Sequence, residues 1–413
     1  MRLLSSCRLA AVVLCLAVTL PACDSGTDVP VVTDQIIGGV NFSRLFAPAT
    51  APEIATVRAD WTARQGSAMM ATGIQVSAPA TLPDGAKLYV VSHLITAGPG
   101  AGGSARHYGF VRVPAGAANL PVVVVHHGGA SGVYAATPDG NANVSVLGIQ
   151  AAFPSLFATS VQVFPSYRSE LLSTSPFETP LGAPVTSGGT PSPWDYDVDD
   201  AMVLLSAVLG RDEFAAATND ARVGALGFSR GADTALLQNV RDARVRATTQ
   251  YYGPTDFFSA PIQTLGIGVL GGSDAFLSFP GAPFILATVL APLQGPNQTY
   301  NANANYAAAR LEVVRRSASL FTAQMRNVQV HHHTADPVVP YPVSVSFDAA
   351  ATAARPTGAY EFNTYSDALP AGATFSAHDP RAMPASLSRT EQFFNRYVTT
   401  STRPAATGVL AAR

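Results

Sequence analysis

The sequence predicts an α/β protein in which helices flank a mostly parallel central sheet. Apolar runs alternate with helix-like segments from about residue 70 onward. Residues 121–125 form a continuous apolar run with four consecutive valines, and residues 161–164 form a second short apolar run. Such runs are typical of strands that are buried on both faces of a parallel sheet. Residues 198–209 form an apolar helix candidate that follows several acidic residues. This alternation of strands and helices predicts the α/β class.

Further strands and helices complete the predicted architecture. Runs of apolar, β-branched or aromatic residues predict six more strands, at residues 88–94, 106–113, 222–228, 247–252, 328–332 and 360–365. Helices are predicted at residues 144–157, 231–240, 307–326 and 384–398. The sheet is therefore expected to contain eight core strands, most of them followed by a helix.

A long segment interrupts this alternation between the sixth and seventh core strands. Residues 254–306 are apolar and rich in glycine and proline, and a compact fold normally joins two strands more briefly. We interpret this segment as a lid or cap insertion. The alternative is a loop that packs on the sheet away from any functional site.

The first 23 residues have the features of an export signal. Arg2 and Arg8 accompany an apolar stretch at residues 9–20, which is too short to span a bilayer comfortably. The segment ends at Cys23 and resembles a bacterial lipoprotein signal, which implies cleavage before Cys23 and lipidation of that residue. An ordinary secretory signal cleaved near Ala22 is the alternative. We predict a signal peptide at 1–22, a tether at 23–53 and a catalytic domain at 54–413, exported to the cell envelope and lipid-anchored in the membrane.

Composition excludes several classes of function. The formal net charge is −2 and no stretch concentrates basic residues, so nucleic acid is not an expected partner. All three cysteines lie within the first 23 residues, which excludes thiolate metal sites and cysteine nucleophiles from the mature domain. The histidines at 331–333 lack other ligands at metal spacing and favour packing. The aspartates at 195, 197, 199 and 200 lack the glycine and glutamate of a calcium loop and favour helix capping. No metal or cofactor is expected.

A G-x-S-x-G motif at residues 227–231 provides a candidate nucleophile. It lies between a predicted strand and a predicted helix, and Ser229 is its central residue. A sharp turn from strand to helix needs residues without a Cβ at its crowded positions, which explains Gly227 and Gly231. Such a turn exposes the serine hydroxyl at the edge of the sheet, so the context favours a nucleophile over an ordinary loop serine.

A serine nucleophile needs a histidine base and a carboxylate. His378 is the only histidine after the last predicted strand, and Asp336 follows the penultimate strand, which gives the order Ser, Asp, His. Asp367 is a weaker competitor for the role of the acid, and Asp379 adjoins the histidine too closely in the chain to support its ring. The alternative for His378 is a surface loop residue.

An oxyanion hole is predicted where residues 126–130 follow the valine-rich strand. Glycines at this point let backbone N–H groups approach a substrate oxygen closely. The expected donors are the N–H groups of Gly128 or Gly129 and of Arg230, the residue after the nucleophile. The alternative is a simple glycine turn.

Together, these motifs resemble the α/β-hydrolase superfamily, and they are most similar to its prolyl-oligopeptidase-like and dienelactone-hydrolase-like esterases and peptidases. The matching segments occur in family order from about residue 88 to 397, at 127–129, 164–168, 227–231, 334–340 and His378. The resemblance implies the α/β-hydrolase fold, with Ser229 as nucleophile, Asp336 as acid and His378 as base. One departure is His333, which stands where these families usually have a glycine.

The sequence therefore predicts a serine esterase that acts on a small-molecule ester, with a hydrophobic substrate suggested by the apolar insertion. An ester is favoured because only about 60 residues separate the signal from the first predicted sheet strands, too few for the propeller of an oligopeptidase. A serine peptidase that acts on short peptides is the first alternative. A non-catalytic envelope binding protein is the second, and the intact motifs argue against it.

Overall fold

The structure is a computed structural model that describes residues 34–68, 70–98, 103–177, 184–273 and 281–400. The predicted signal peptide, the lipidation site Cys23 and the first part of the predicted tether lie outside these residues and stay predictions. In the described ranges, no helix combines the length and the apolar character needed to cross a membrane.

Fifteen strands are present in the described part of the chain. In chain order they are β1 (Ile36–Ile37), β2 (Val40–Asn41), β3 (Thr72–Val76), β4 (Ala80–Thr81), β5 (Lys87–Thr96), β6 (Ser104–Val113), β7 (Leu120–His126), β8 (Gly132–Tyr134), β9 (Val161–Pro165), β10 (Leu171–Ser173), β11 (Val185–Thr186), β12 (Thr218–Phe228), β13 (Val245–Tyr251), β14 (Arg326–His333) and β15 (Thr357–Tyr365).

Twelve α-helices accompany them among the same residues. They are α1 (Phe42–Leu45), α2 (Ala51–Ala68), α3 (Val146–Ala152), α4 (Pro154–Ala158), α5 (Tyr196–Leu209), α6 (Asp212–Ala215), α7 (Arg230–Arg241), α8 (Ala260–Leu270), α9 (Ala282–Ile285), α10 (Tyr306–Val314), α11 (Tyr341–Ala354) and α12 (Pro384–Phe394).

The central sheet has the order β15-β14-β13-β12-β7-β9-β6-β5-β3, and β4 pairs with β5 at one end. The six strands from β15 to β9 run parallel to their neighbours, whereas β6, β5 and β3 pair antiparallel. All eight predicted core strands are present in this sheet, so the predicted α/β class and mostly parallel sheet are confirmed. The carboxyl ends of the parallel strands share one edge, where such folds hold their functional loops.

The valine-rich strand β7 shows why the sheet is buried on both faces. Val122 and Val124 pack in one core cluster together with leucines of α5. Val123 and Val125 point to the opposite face, where they join a cluster that contains phenylalanines of α4 and α12. Because side chains alternate along a strand, a continuous apolar run serves both faces, and each buried valine contributes about 1.5–3 kcal/mol.

Residues 34–53 do not form a tether, so the prediction of a tether at 23–53 is wrong for its described part. Val40, Phe42 and Leu45 are at most 2% exposed. Arg310 of α10 pairs with Glu53 and donates hydrogen bonds to the backbone carbonyl oxygens of residues 44, 45, 47 and 48. The packed domain therefore includes the chain from residue 34 onward, rather than from residue 54.

The insertion lies where the sequence predicts it, between β13, the sixth core strand, and β14, the seventh. It contains α8 and α9. The helix predicted at 307–326 is present as α10, but it ends early at Val314 and is followed by a 3₁₀ segment, Ala318–Gln324. Tyr306 accepts a hydrogen bond from the N–H of Asn41 at 2.7 Å. The insertion and the N-terminal segment thus pack on each other, and the role of the insertion as a lid stays a prediction.

Candidate active site

The predicted nucleophile lies on a strained turn at the end of β12. Ser229 separates this strand from α7 and has φ 52° and ψ −123°, in a region that non-glycine residues rarely adopt. Such a conformation costs about 1–3 kcal/mol and persists only where the surroundings hold it. The N–H of Ser229 donates to the carbonyl oxygen of Tyr251 at 2.9 Å, and the Ser229 carbonyl accepts from the N–H of Ala232 at 2.9 Å. These bonds hold the turn between β13 and α7.

The two glycines of the motif are required by close backbone packing. A Cβ on Gly227 would lie 2.3 Å from the carbonyl oxygen of Gly231. A Cβ on Gly231 would lie 2.3 Å from the carbonyl oxygen of His126 and 2.4 Å from that of His127. Any larger residue at position 231 therefore pushes α7 away from the end of β7.

We expect the substitution Gly231→Ala to lower the free energy of unfolding by about 3 kcal/mol, because overpacking against backbone atoms cannot be relieved by a side-chain rotation. Urea denaturation followed by circular dichroism measures the change. Gly266→Ala is the matched control, since a Cβ there would lie 3.5 Å from Phe42, an ordinary contact within helix α8. Equal stabilities of the two variants would contradict this interpretation of the turn.

The predicted acid and base form a close pair. Asp336, in the loop after β14, has a fully buried side chain, and its Oδ2 lies 2.7 Å from Nδ1 of His378. The other oxygen, Oδ1, accepts hydrogen bonds from the backbone N–H groups of Val338 and Val339 at 2.8 and 3.0 Å. The carboxylate thus holds Nδ1 of His378 as the protonated nitrogen and leaves Nε2 as the basic one.

A second histidine contacts the same carboxylate. Nε2 of His332 lies 3.0 Å from the carbonyl oxygen of Val339 and 3.4 Å from Oδ2 of Asp336, and its Nδ1 lies 2.6 Å from the hydroxyl of Ser344. A carbonyl can only accept, so the proton of His332 is on Nε2. Burial opposes ionisation of Asp336, but the hydrogen bonds from His332 and His378 outweigh it and lower the pKa of Asp336 to about 2.

Ser229 and His378 are not hydrogen-bonded to each other, but they are linked indirectly through Gly128 and Asn143. His378 bonds Asp336, Ser376 and Asn143, and among the described residues no hydrogen bond joins it to the Ser229 hydroxyl. A Cβ on Gly128 would lie 3.1 Å from Cβ of Ser229, and the N–H of Gly128 donates to Asn143. Catalytic hydrogen bonds often close only when substrate is bound, so this geometry leaves the predicted pairing open.

The structure leaves two of the three predicted oxyanion donors as candidates. The N–H of Gly128 donates to the carbonyl oxygen of Asn143 at 2.7 Å, so it is not free for a substrate, and the prediction of Gly128 as a donor is wrong. Gly129 follows with φ 69°, a conformation that favours glycine. Arg230 is the first residue of α7, where N–H groups have no partner within the helix. Gly129 and Arg230 remain the candidate donors.

The side chain of Arg230 stabilises the candidate oxyanion turn at Gly129. It forms buried ion pairs with Glu170 and Asp197 and lies over the ring of Tyr167, with 4.5 Å from Cζ to the ring centroid. Its Nη1 also lies 3.4 Å from the carbonyl oxygen of Gly129. The guanidinium therefore ties the glycine turn to the helix that follows the nucleophile.

The four aspartates near the start of α5 do not cap the helix, contrary to the sequence interpretation. Asp195 is the residue before the helix, and its side chain makes no capping hydrogen bond. All four side chains are buried, and buried carboxylates need cationic partners. The pairs are Asp195 with Arg64, Asp197 with Arg230, Asp199 with Arg241 and Asp200 with Arg168.

The remaining histidines of the 331–333 run have structural partners. His331 lies 2.9 Å from the Tyr365 hydroxyl, and His333 lies 2.9 Å from the carbonyl oxygen of Asp367 and accepts the N–H of Ala335. His333 thus stabilises the turn before Asp336. In the described part of the chain, no group of three or more histidine, cysteine or acidic residues is arranged to hold a metal ion.

Comparison with known proteins shows the fold. No protein-family model and no curated protein matches this chain. Its structure is similar to that of the acetyl xylan esterase from Paenibacillus sp. R4, with a TM-score of 0.50, 14% identity, and coverage of 86% of this chain and 98% of the esterase. With the strand order of the sheet, this similarity shows the predicted α/β-hydrolase fold.

Two other solved structures are similar at lower scores. Acetyl xylan esterase 1 from Thermoanaerobacterium sp. JW/SL YS485 has a TM-score of 0.49 and 15% identity, over 82% of this chain and 93% of that one. The acylaminoacyl peptidase of Pyrococcus horikoshii has a TM-score of 0.46 and 13% identity, over 80% of this chain. This chain spans 48% of the length of that peptidase.

Proposed function

We propose that this protein hydrolyses carboxylic esters through a Ser229–His378–Asp336 acyl-enzyme mechanism. The observation that carries the proposal is the 2.7 Å pair between His378 and buried Asp336, together with a serine on a strained strand-to-helix turn. Strained backbone at a candidate nucleophile supports a functional constraint, because folding alone gains nothing from it.

The reaction proceeds in two steps. His378 takes the proton of the Ser229 hydroxyl while the oxygen attacks the ester carbonyl, and the N–H groups of Gly129 and Arg230 stabilise the oxyanion. His378 then gives this proton to the departing alkoxide, which leaves as the alcohol. In the second step, water loses a proton to His378 and attacks the acyl-enzyme, and His378 returns that proton to the Ser229 oxygen as the carboxylic acid leaves. Asp336 stabilises the imidazolium in both steps.

Two features support an ester with a hydrophobic group over a peptide. Residues 34–68 pack into the hydrolase domain instead of forming a separate gating domain. An apolar cavity lies between the insertion and Trp194, and its walls include Phe46, Phe257 and Leu265. Trp194 donates its indole N–H to the carbonyl oxygen of Arg230 at 3.0 Å, so the cavity wall contacts the residue after the nucleophile.

A substrate panel tests the proposal against its two alternatives. We expect turnover of p-nitrophenyl esters, with kcat/KM rising from acetyl toward longer acyl chains, because each added methylene buried in an apolar pocket contributes about 0.8 kcal/mol. We expect little turnover of aminoacyl-p-nitroanilides. Faster hydrolysis of the anilides would favour the peptidase. The absence of any hydrolysis, combined with no labelling by a fluorophosphonate, would favour a non-catalytic binding protein.

A further inference from the structure

Asn143 connects the oxyanion loop to the loop that carries the base. It lies between β8 and α3, and its backbone carbonyl accepts the N–H of Gly128 at 2.7 Å. Its side-chain Nδ2 donates to the backbone carbonyl oxygen of His378 at 3.2 Å. Its Oδ1 accepts the hydroxyl of Tyr252 at 2.6 Å. One residue thus contacts three segments that lie more than 100 positions from one another in the chain.

The two side-chain bonds fix the orientation of the Asn143 amide. A carbonyl oxygen can only accept, so the group that faces His378 must be the NH₂ of the amide. The Oδ1 atom then faces the phenol of Tyr252, which donates. The flipped amide would oppose two oxygen atoms at His378, so the network admits one arrangement.

The loop around Asn143 is itself well ordered by local hydrogen bonds. The N–H of Asn143 donates to Oδ1 of Asn141 at 2.8 Å, and the N–H of Asn141 donates to the hydroxyl of Thr137 at 2.9 Å. The N–H of Ser145 also donates to the carbonyl oxygen of Asn141. Asn143 is therefore presented from a rigid support, which a positioning residue requires.

Tyr252 supports the base from a second direction and at a conformational cost. It follows β13 directly, is fully buried and has φ 45°, in the left-handed region that disfavours a bulky residue. Its ring centroid lies 4.3 Å from that of His378. Its backbone N–H donates to the carbonyl oxygen of His331 at 2.9 Å. Strain of this kind at a residue packed on the candidate base points to a role in the site.

We propose that Asn143 and Tyr252 are positioning residues that hold the His378 loop and the Gly128–Gly129 turn in one catalytic arrangement. The proposal rests on the ester hydrolase function argued above. Gly128 packs against Ser229, so a residue that joins Gly128 to His378 sets the place of the base relative to both the nucleophile and the oxyanion donors. A displacement of about 1 Å in such an arrangement lowers the rate by about 100-fold.

Three variants test this role. Tyr252→Phe removes one hydroxyl and keeps the ring on His378, and we expect kcat to fall about tenfold with KM changed less than about twofold. Asn143→Ala releases both loops, and we expect kcat to fall about 100-fold. We expect the double variant to be no slower than Asn143→Ala, because the Tyr252 hydroxyl acts through Asn143.

Tyr360→Phe is the matched control, because Tyr360, on the edge strand β15, also loses one phenolic hydrogen bond, which it donates to Asp348 of α11. It is expected to keep the wild-type kcat. Rates are expressed per active site, from the end point of fluorophosphonate labelling, and melting temperatures are recorded. An alkylboronic acid mimics the tetrahedral oxyanion. In Tyr252→Phe and Asn143→Ala, affinity for this compound is expected to fall in parallel with kcat/KM.

The outcomes separate three situations. A lower kcat at unchanged KM, with weaker boronate binding, supports positioning. Wild-type kcat per active site in Asn143→Ala, with only a lower melting temperature, overturns it while the hydrolase proposal stands. If the wild-type protein does not hydrolyse esters, or if hydrolysis persists in Ser229→Ala, both proposals are overturned.

Discussion

Replacing Ser229 with alanine is expected to lower kcat for ester hydrolysis by about 10⁶-fold, because no other group can form the acyl-enzyme. The substitution removes one oxygen from a residue whose structural hydrogen bonds use only backbone atoms. The fold and the free energy of unfolding should therefore change little. Initial rates with a p-nitrophenyl ester, measured beside a denaturation curve, test both statements.

Ser388→Ala serves as the control for this variant. Ser388 is an exposed residue of α12, and its hydroxyl bonds only the carbonyl oxygen of Ala385 among the described residues. It should retain the wild-type rate. Residual activity in Ser229→Ala above about 1% of wild type would exclude Ser229 as the sole nucleophile.

The substitution Asp336→Asn is expected to lower kcat by about 10⁴-fold at neutral pH. An amide in this position presents an NH₂ group or a weaker acceptor to Nδ1 of His378, which disfavours the required tautomer and removes the charge that stabilises the imidazolium. The KM should change less than kcat, because Asp336 is buried behind the histidine. Steady-state kinetics over a range of pH measure both constants.

The pH profile of the wild type gives a further check on Asp336. Its pKa is lowered to about 2, so the carboxylate stays ionised at any pH above about 3. Because this pKa lies below that of the unfolded chain, the stabilisation is present above the unfolded pKa and is lost as the pH falls toward 2. Loss of kcat/KM in mildly acidic solution should therefore not arise from protonation of Asp336.

Asp367→Asn is the matched control for the acid. Asp367 also follows a core strand and carries the same charge, but its side chain is exposed, and His333 contacts only its backbone carbonyl. We expect wild-type kinetics from this variant. A large loss of kcat in Asp367→Asn, with a small loss in Asp336→Asn, would reverse the assignment of the acid.

Much of the fold could be predicted from the sequence because short local patterns indicate its strands and turns. The valines of β7 indicate burial on both faces by themselves, and Gly227 and Gly231 indicate a crowded turn. Helix α11 is not among the predicted helices, but it also has a local pattern. Its buried residues Val343, Phe347 and Ala351 recur every four positions, which is the spacing of one face of a helix.

Helix α2 had a weaker signal. Among its residues 51–65, only Val57 and Trp61 are deeply buried, because much of this part of the helix faces solvent, so its sequence has little apolar periodicity. Residues 34–53 looked like a tether for a similar reason. Their partners, Tyr306 and Arg310, lie more than 250 positions away in α10, at the end of the insertion and just beyond it. No local pattern could indicate that contact.

Some residues of the candidate site are indicated by the sequence, and others are not. Ser229, Asp336 and His378 could be selected by motif and order along the chain, whereas Asn143 and Tyr252 could not. An asparagine in a polar loop looks like a turn residue, and its contact with His378 spans 235 positions. The sequence alone could not exclude Gly128 as an oxyanion donor, because the hydrogen bond from its N–H to Asn143 depends on how two loops meet.

The most direct test of acyl transfer is the site of a covalent adduct. The protein is treated with a fluorophosphonate, digested, and analysed by mass spectrometry to locate the modified residue. We predict one stoichiometric adduct, on the Ser229 hydroxyl, which forms more slowly in Asp336→Asn and disappears in Ser229→Ala. An adduct on a different residue, or active ester hydrolysis by protein that remains unmodified at Ser229, would contradict the account.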